Sequence, residues 1–454
     1  MQDHDSFHSV KNNIIISNEA QNMIDTLETN GYEAYAVGGC VRDAFMGKTP
    51  EDWDICTSAL PEQTAACFKD CHIIETGLKH GTITVIKNHK PFEITTYRID
   101  GDYSDNRRPD SVEFVSELKD DLSRRDFTIN AMAYNHNRGL VDFFGGVSDI
   151  KNKLIRCVGK ADKRFQEDAL RIMRALRFAS ALGFTIDEDT SGALYRNKDL
   201  LDNIASERIA AELNKLLVGG SVKEILLDHT QIIEKIIPEI KDMIGFEQNN
   251  PYHIFDVWRH TVESITKIPA DPVLRLTMLF HDIGKPECYT EVNSVGHFHG
   301  HQRVSSDIAR DILRRLKYSN AVIDAVKKLV LYHDVDIKPQ QKNIKRRLNK
   351  LGEERFRQLI LVKRADAMAQ SEIYGKEKLE ILDEVSNVFE KILEQQLCFS
   401  LKNLAVNGRD LIDAGIPEGA EIGKCLNRLL KLVIEESVDN NKKDLLEAVK
   451  TLSL

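Results

Sequence analysis

The chain has 454 residues, 42% of them hydrophobic, which predicts two to four domains with enough apolar side chains to build their cores. No run approaches the roughly 18 apolar residues of a membrane span, and the opening MQDHDSFHSV has neither a basic nor an apolar leader segment, so a cytoplasmic protein without a membrane partner is expected. A net charge of −9 argues against a uniformly basic nucleic-acid binder and turns attention to local cationic clusters, while eight scattered cysteines with no CxxC pair predict reduced core thiols.

In chain order, residues 32–37, 52–56, 81–86 and 92–98 read as short strands among helices, and beyond about residue 155 nearly everything is helix-periodic. Gly219-Gly220 reads as a helix stop, and Pro251, Pro269 and Pro272 punctuate the next stretch of chain. The expected fold class is α+β: a small α/β head over 1–150, then an elongated all-α remainder divided into a neck (151–220), a body (221–372) and a tail (373–454). Locally positive segments are Arg107-Arg108, Arg124-Arg125, the stripe Arg171, Arg174 and Arg177, and the set Lys342, Lys345, Arg346, Arg347 and Lys350.

The most informative stretch is YAVGGCVRDAFMGKTPEDWDICT, ending at Thr57. Gly38-Gly39 ends a strand where the backbone must turn sharply and let N–H groups approach a ligand, and a helix from Cys40 follows. Strand, glycine pair and helix start predict an anion site, with Arg42 as a bidentate phosphate partner. Alternation through Asp52, Trp53, Asp54, Ile55 and Cys56 puts both carboxylates on one strand face, able to hold a divalent metal. In FEITTYR, Glu93, Thr95 and Tyr97 share a face by the same period, so Glu93 is a candidate third carboxylate if its strand pairs beside the Asp52/Asp54 strand.

A glycine turn or an Asp-x-Asp alone is an ordinary turn or a solvated strand end. At this spacing, with the arginine between them, they resemble the signature of the nucleotidyltransferase branch that contains bacterial CCA-adding enzymes and poly(A) polymerases. The resemblance implies Mg²⁺ on Asp52 and Asp54, CTP and ATP as nucleotides, and tRNA as partner. YRIDGDYSDNRRPDSVEF, too rich in Asp, Arg and Gly for a core, is expected as a mobile loop. LSRRDFTINAMAY is similar to the family's second motif, in which Arg125, Asp126 and Asn130 surround the sugar and phosphates; an Asp/Asn pair suits a 2′-hydroxyl, which donates and accepts. DFFGGVSDI resembles a third motif with a structural role.

RFQEDALRIMRALRF, expected as one helix, resembles the family's EDxxRxxR motif as Glu167, Asp168, Arg171 and Arg174. Asp168 and Arg171, three apart, form on one reading an ordinary helix salt bridge. The resemblance implies instead that they present a Watson–Crick-like edge to the base of CTP or ATP, with Arg174 reaching phosphate. An acceptor-only carboxylate beside a donor fork accommodates cytosine and adenine and mismatches guanine and uracil. SERIAAELNKLL is expected as an architectural neck helix with Ser206 as its N-cap.

Six histidines, 260, 281, 297, 299, 301 and 333, crowd one region. The order His260, His281-Asp282, then Asp366, with the fragment FHDIGK, resembles the HD-domain metallophosphohydrolases, and implies a second divalent metal (Mn, Ni, Co or Mg) at that HD site. Imidazoles and carboxylates suit a borderline transition metal. His301 and His333 are candidates for a second metal or a substrate phosphate; His297 and His299 are read as ordinary polar groups. The tail resembles the tRNA-binding tail of CCA-adding enzymes, with Gly408, Gly415, Gly419 and Gly423 as loop glycines and Lys424 and Arg428 as phosphate contacts.

The reading that unites these motifs is a tRNA nucleotidyltransferase adding CCA, with an HD domain in its body. Its rivals are a poly(A) polymerase, an enzyme adding only CC or only A, an HD phosphohydrolase with a silent head, and a non-catalytic RNA-binding protein. The polar loop around residues 104–110 favours complete CCA addition, since CC-only relatives tend to lack it. The intact Asp-x-Asp argues against a silent head, and two separate metal-ligand sets against a non-catalytic binder.

Overall fold

A computed structural model describes residues 14–101 and 111–451 of the chain, which divide into two compact units between Ile236 and Ile237. The expected loop around residues 104–110, and with it Arg107 and Arg108, lies outside the described residues.

The first unit begins with helix α1 (Asn18–Thr29), whose Ser17 hydroxyl accepts from the Ala20 N–H and whose buried Ala20, Met23, Ile24 and Leu27 make one helical stripe. Strand β1 (Ala34–Val37) is buried throughout and leads through Gly38 into the short helix α2 (Gly39–Phe45). Next come β2 (Ile55–Thr57), α3 (Pro61–Cys67), β3 (His72–Ile74), β4 (Thr82–Lys87) and β5 (Lys90–Thr96). The segment expected as a loop is flanked by a two-stranded ladder, β6 (Arg98–Asp100) against β7 (Val112–Phe114), with Arg98 opposite Phe114. Helix α4 (Leu118–Ser123), β8 (Met132–Asn135), β9 (Gly139–Asp142) and α5 (Gly146–Lys151) complete the head.

Seven of these strands form one mixed sheet in the order β3-β4-β5-β2-β1-β8-β9, in which β2 and β5 run parallel and the other pairs antiparallel. Tyr35, Val37, Cys56, Leu118, Leu122 and Val141 share a core cluster with Tyr97. Tyr97 is fully buried, so the expected face shared by Glu93, Thr95 and Tyr97 breaks at its last member: β5 ends at Thr96, and the burial of a large ring overrides the period. All eight cysteines are free thiols.

Beyond the head, β10 (Leu154–Ile155) pairs with β11 (Thr185–Ile186) around helices α6 (Ala161–Glu167) and α7 (Leu170–Leu182). The expected continuous helix is therefore two. Asp168 leaves helical geometry, with φ −137° and ψ 102°, and its Oδ1 accepts from the Leu170 N–H to start α7. Helices α8 (Glu188–Asn197), α9 (Ser206–Leu217), α10 (Val222–Asp228) and α11 (Thr230–Ile236) follow. Ser206 is the first residue of α9 rather than its cap, which is Ala205. Helix α9 lies close to α7: Ser180 donates to the Leu216 carbonyl, and a Cβ on Gly219 would stand 2.6 Å from the Ser180 carbonyl carbon.

The second unit is helical apart from one hairpin. Its helices are α12 (Val257–Thr266), α13 (Pro272–Phe280), α14 (His301–Arg315), α15 (Asn320–Tyr332), α16 (Gln341–Leu351), α17 (Glu353–Met368) and α18 (Glu372–Glu394). The hairpin, β12 (Thr290–Val292) and β13 (Val295–His297), turns at Asn293 and Ser294, both in left-handed backbone, and was not expected from the sequence. Helices α19 (Gly408–Asp413), α20 (Ala420–Ile434) and α21 (Lys442–Thr451) share a separate core that includes Leu411, Cys425, Leu429 and Leu445. Among the glycines expected in loops, Gly415 and Gly419 have positive φ, whereas Gly408 and Gly423 are helical, because α19 and α20 extend over them. Among the described residues no helix is long and apolar enough to cross a membrane.

Candidate nucleotide-transfer and metal sites

At the head, Asp52, Trp53 and Asp54 lie ahead of β2 rather than within it. Their alternation nevertheless holds, since Trp53 is buried while both aspartates are exposed, and the Asp54 carbonyl accepts from the Val37 N–H. Strand β5 pairs parallel to β2 with Ile55 opposite Ile94. Carrying that register back one residue sets Asp54 beside Glu93, which is also exposed. Although Asp54 is solvent-accessible, protein packed around its carboxyl pushes it up to about 6, first by desolvation and then by the charges of Asp52 and Glu93, with Arg125 opposing. A carboxyl that resists losing its proton beside two further carboxylates marks a site short of a cation, and all-oxygen donors match a hard divalent ion such as Mg²⁺.

Gly38 has φ 85°, and an added Cβ would meet Arg125 Nη1 at 3.0 Å, so the turn requires glycine for its backbone and for the arginine packed on it. Arg42 Nη1 donates to Asn130 Oδ1 at 2.7 Å; Asn130 Nδ2 donates to Asp126 Oδ1 at 3.2 Å; and Asp126 Oδ2 accepts from Nε and Nη2 of Arg174 at 2.8 and 2.5 Å. Four expected nucleotide contacts thus form one hydrogen-bonded chain. Burial alone would raise the Asp126 carboxyl, but the charges of Arg174 and Arg171 and the hydrogen bonds from Arg174 and Asn130 hold it at about 2. The guanidiniums of Arg42, Arg174 and Arg177 stand 5.1, 5.4 and 3.9 Å from the centre of the Phe178 ring, which pins their planes.

The alternative reading of Asp168 and Arg171 as a helix salt bridge does not hold, because the chain leaves the helix at Asp168. Arg171 pairs with Glu167 at 2.8 Å and donates to the Arg124 carbonyl, whereas Asp168 accepts from Arg208 Nη2 at 3.0 Å. Several partners escaped the sequence reading: Asp43 against Arg42, Asp121 against Arg124 and Arg125, Glu212 against Arg177, and Arg208. Arg208 and Glu212 both stand in SERIAAELNKLL, four apart and therefore on one helix face, a signal the sequence did carry.

In the helical unit, His260 lies within α12, His281 and Asp282 follow α13, and Asp366 lies on α17. Their ligand atoms all fall within 4.8 Å of one another; Nε2 of His260 is 3.0 Å from Asp366 Oδ1, and Nε2 of His281 is 3.2 Å from Asp282 Oδ2. His301 opens α14 and His333 ends α15, and with Asp282 they form a second such group. His260, His281 and Asp282 are buried to within 1%. Burial would raise the Asp282 and Asp366 carboxyls, but neighbouring histidines, with Lys285 beside Asp282, hold both well below the usual range. Lys285 Nζ lies 2.7 Å from Asp282 Oδ2 and donates to Gln248 Oε1 at 2.8 Å. His297 and His299 stack on each other outside both groups and line the cavity that Asp282, His301 and His333 also line.

On α20, Lys424 and Arg428 are exposed one turn apart, and Lys424 reaches Glu421 at 2.8 Å. The cluster on α16 is largely neutralised: Lys342 and Arg346 pair with Glu435, and Lys345 with Glu436.

Residues 34–156 match the family described as Poly A polymerase head domain, residues 183–244 the probable RNA and SrmB-binding site of polymerase A, and residues 301–449 the putative tRNA nucleotidyltransferase domain 2. The chain is 34% identical over 431 residues to the CCA-adding enzyme of Lactobacillus helveticus, covering 93% of this chain and 94% of that protein. It is 50% identical over 208 residues to the CCA-adding enzyme of Geobacillus kaustophilus, 46% of this chain and 51% of that one. Among solved structures, the Bacillus stearothermophilus CCA-adding enzyme in complex with CTP superposes with a TM-score of 0.69 at 30% identity, covering 95% and 96% of the two chains.

Proposed function

The chain belongs to the CCA-adding enzymes, and from that premise we propose that it adds C, C and A to the 3′ end of tRNA from CTP and ATP with release of pyrophosphate. The tRNA 3′-hydroxyl oxygen bonds to the α-phosphorus, and the bond to the departing pyrophosphate breaks. The observation that carries the reading is the crowding of Asp52, Asp54 and Glu93 around the start of β2 and the paired β5, in the interior of the sheet beside the Gly38 turn. Mg²⁺ held by Asp52 and Asp54, with Glu93 beside them, would supply the positive charge that favours a nucleophilic alkoxide and offsets charge on the leaving group. Arg42 and Arg174 bind the triphosphate, Arg125 packs over Gly38 toward it, and Asp126 with Asn130 reads the ribose 2′-hydroxyl. Asp168 and Arg171 present their edge to the base, which requires each to exchange its partner, Arg208 or Glu167, for nucleotide. The tail, with Lys424 and Arg428, takes the tRNA backbone, and the reaction belongs in the cytoplasm with its substrate. We retain the division into head 1–150, neck 151–220, body 221–372 and tail 373–454 as a functional one.

A tRNA transcript lacking its terminal CCA, incubated with each labelled nucleotide singly and in pairs, tests this. CCA addition is expected; an A tail, CC alone or A alone would replace the reading by one of its rivals.

A second reading concerns the other unit. The convergence of His260, His281, Asp282 and Asp366 supports a metal-dependent phosphohydrolase of the HD type, held by residues separate in sequence from the transfer site. His281→Ala with Asp282→Ala should remove bound transition metal and hydrolysis of phosphate esters while sparing CCA addition. Wild-type protein with neither metal nor hydrolysis would make this region structural.

A further inference from the structure

The guanidinium of Arg171 is held from two sides. Its Nη1 donates to Glu167 at 2.8 Å and to the Arg164 carbonyl at 3.3 Å, and its Nη2 donates to the Arg124 carbonyl at 3.0 Å. When Arg171 gives up Glu167 for a base, the Arg124 carbonyl is the shorter of the two contacts that stay, and it sets the angle at which the guanidinium is presented. Resting on the base-reading role of Arg171 and the place of Arg125 beside the triphosphate, we propose that Asp121 is a positioning residue for nucleotide selection: it fixes the peptide between Arg124 and Arg125, and so couples base readout to the glycine turn.

Asp121 lies on α4, just ahead of the segment LSRRDFTINAMAY, with its side chain wholly buried. Its Oδ1 accepts from Nε and Nη2 of Arg124 at 3.1 and 2.7 Å and from the Arg98 N–H at 3.4 Å, and its Oδ2 accepts from Arg125 Nη2 at 3.4 Å. Burial alone would raise this carboxyl, but the charges of Arg124 and Arg125, with the hydrogen bonds from Arg124 and the Arg98 N–H, hold it below the usual range. Asp100 also faces Arg124, at 3.6 Å from Nη1, so Asp121 is the nearer of its two acids.

Two successive side chains pinned to one buried carboxylate leave the peptide between them little freedom to rotate. The N–H of that peptide, from Arg125, donates to the Leu122 carbonyl at 3.3 Å, and its carbonyl is the one that Arg171 takes. Both polar edges of the peptide are therefore committed. Hydrogen bonds weaken steeply with misalignment, so a carbonyl free to tilt would blur the donor fork that Arg171 offers to a base.

The second arm runs through Arg125. Its Nη1 stands 3.0 Å from where a Cβ on Gly38 would lie, and its charge is the one that opposes the upward push on the Asp54 carboxyl. A single carboxylate thus orders a cation over the glycine turn and an acceptor behind the base-reading arginine. A neutral amide in its place keeps the volume but cannot balance two guanidiniums.

The test uses full-length Asp121→Asn, Arg124→Met, Arg125→Ala and Arg171→Ala, with the doubles Asp121→Asn/Arg171→Ala and Asp121→Asn/Arg125→Ala. Thermal midpoints are measured first, and kcat and KM for CTP and UTP on a tRNA transcript lacking its CCA are then taken well below the lowest midpoint. Asp121→Asn should lower the CTP-over-UTP ratio of kcat/KM by about 10-fold and raise KM for both nucleotides. Arg124→Met, which cuts only the arm toward Arg171, should lower the ratio and leave KM in place; it carries the test if Asp121→Asn does not fold. Each double should match its Arg171→Ala or Arg125→Ala single, in ratio and in KM respectively, because residues acting in one line are not additive. A ratio unmoved by Asp121→Asn or by Arg124→Met while Arg171→Ala collapses it, or losses that add in the doubles, overturns the positioning role and leaves Arg171 as base reader. A ratio unmoved by Arg171→Ala itself overturns both.

Discussion

The two candidate cation sites are built in opposite ways. At the head Asp52, Asp54 and Glu93 stand exposed around the start of β2 and on the neighbouring β5, and the arginines around them are each tied to an acid of the protein. In the helical unit the candidate ligands are buried and oriented by backbone carbonyls before any ion arrives. A site that must admit a nucleotide and a tRNA end leaves its charges to be completed by substrate. Side chains that are buried and pre-oriented can gather an ion before substrate arrives, at the cost of depending on that ion for their own charge balance.

The sharpest way to break that comparison is to remove one carboxylate from each. Asp52→Ala or Asp54→Ala should abolish nucleotide incorporation, a loss of several kcal/mol of transition-state stabilisation, without lowering the thermal midpoint, since each change relieves repulsion among crowded carboxylates. Asp282→Ala should spare incorporation but destabilise the helical unit by about 3–5 kcal/mol in urea titrations, since it leaves Lys285 buried without its carboxylate. Equal stability losses in the two variants would dissolve the distinction.

Base choice comes next. Asp168→Ala should cost roughly 1 to 3 kcal/mol of discrimination against UTP and GTP, read from kcat/KM ratios, more than it lowers turnover, and Arg171→Ala should weaken CTP and ATP together. An Asp168→Ala enzyme with full selectivity and reduced stability would show that Asp168 serves only its contact with Arg208.

Asp126 offers a titration. Because its folded value, about 2, lies below the ordinary carboxyl value near 4, its contribution of about 2 kcal/mol is present above pH 4 and lost as pH falls toward 2. Unfolding free energies of wild type and Asp126→Asn should converge across that window; parallel curves would mean that the Arg174 pair does not stabilise the head. The smallest effect is expected at the surface. Lys424→Ala with Arg428→Ala should weaken tRNA binding uniformly across sequences and lower the salt slope by about one unit for each phosphate partner removed, with no change for free nucleotides.

Much of this was legible in one dimension. Gly38 and Gly39, and Asp52 and Asp54, are placed by the chain itself, since a two-residue spacing in an extended segment puts both carboxylates on one face; the order His260, His281-Asp282, Asp366 was legible as a motif, while its convergence came from packing. The alternation through Trp53 survives even though β2 starts later than expected, because burying an indole orients its neighbours. Membership of the CCA-adding enzymes and the α+β class were both available at that level. Partners were not. Arg171 satisfies Glu167, Asp168 satisfies Arg208, and Arg42 reaches Asn130 across 88 residues, choices made by which helices pack together rather than by any local pattern. The same holds for Asp282: its sequence neighbours mark it as a ligand, but only the meeting of α12, α13, α14, α15 and α17 turns its two oxygens toward two histidine pairs. Local spacing determines which groups share a face; the long-range packing of those faces, driven by apolar burial that is indifferent to the polar groups it carries along, decides which groups meet.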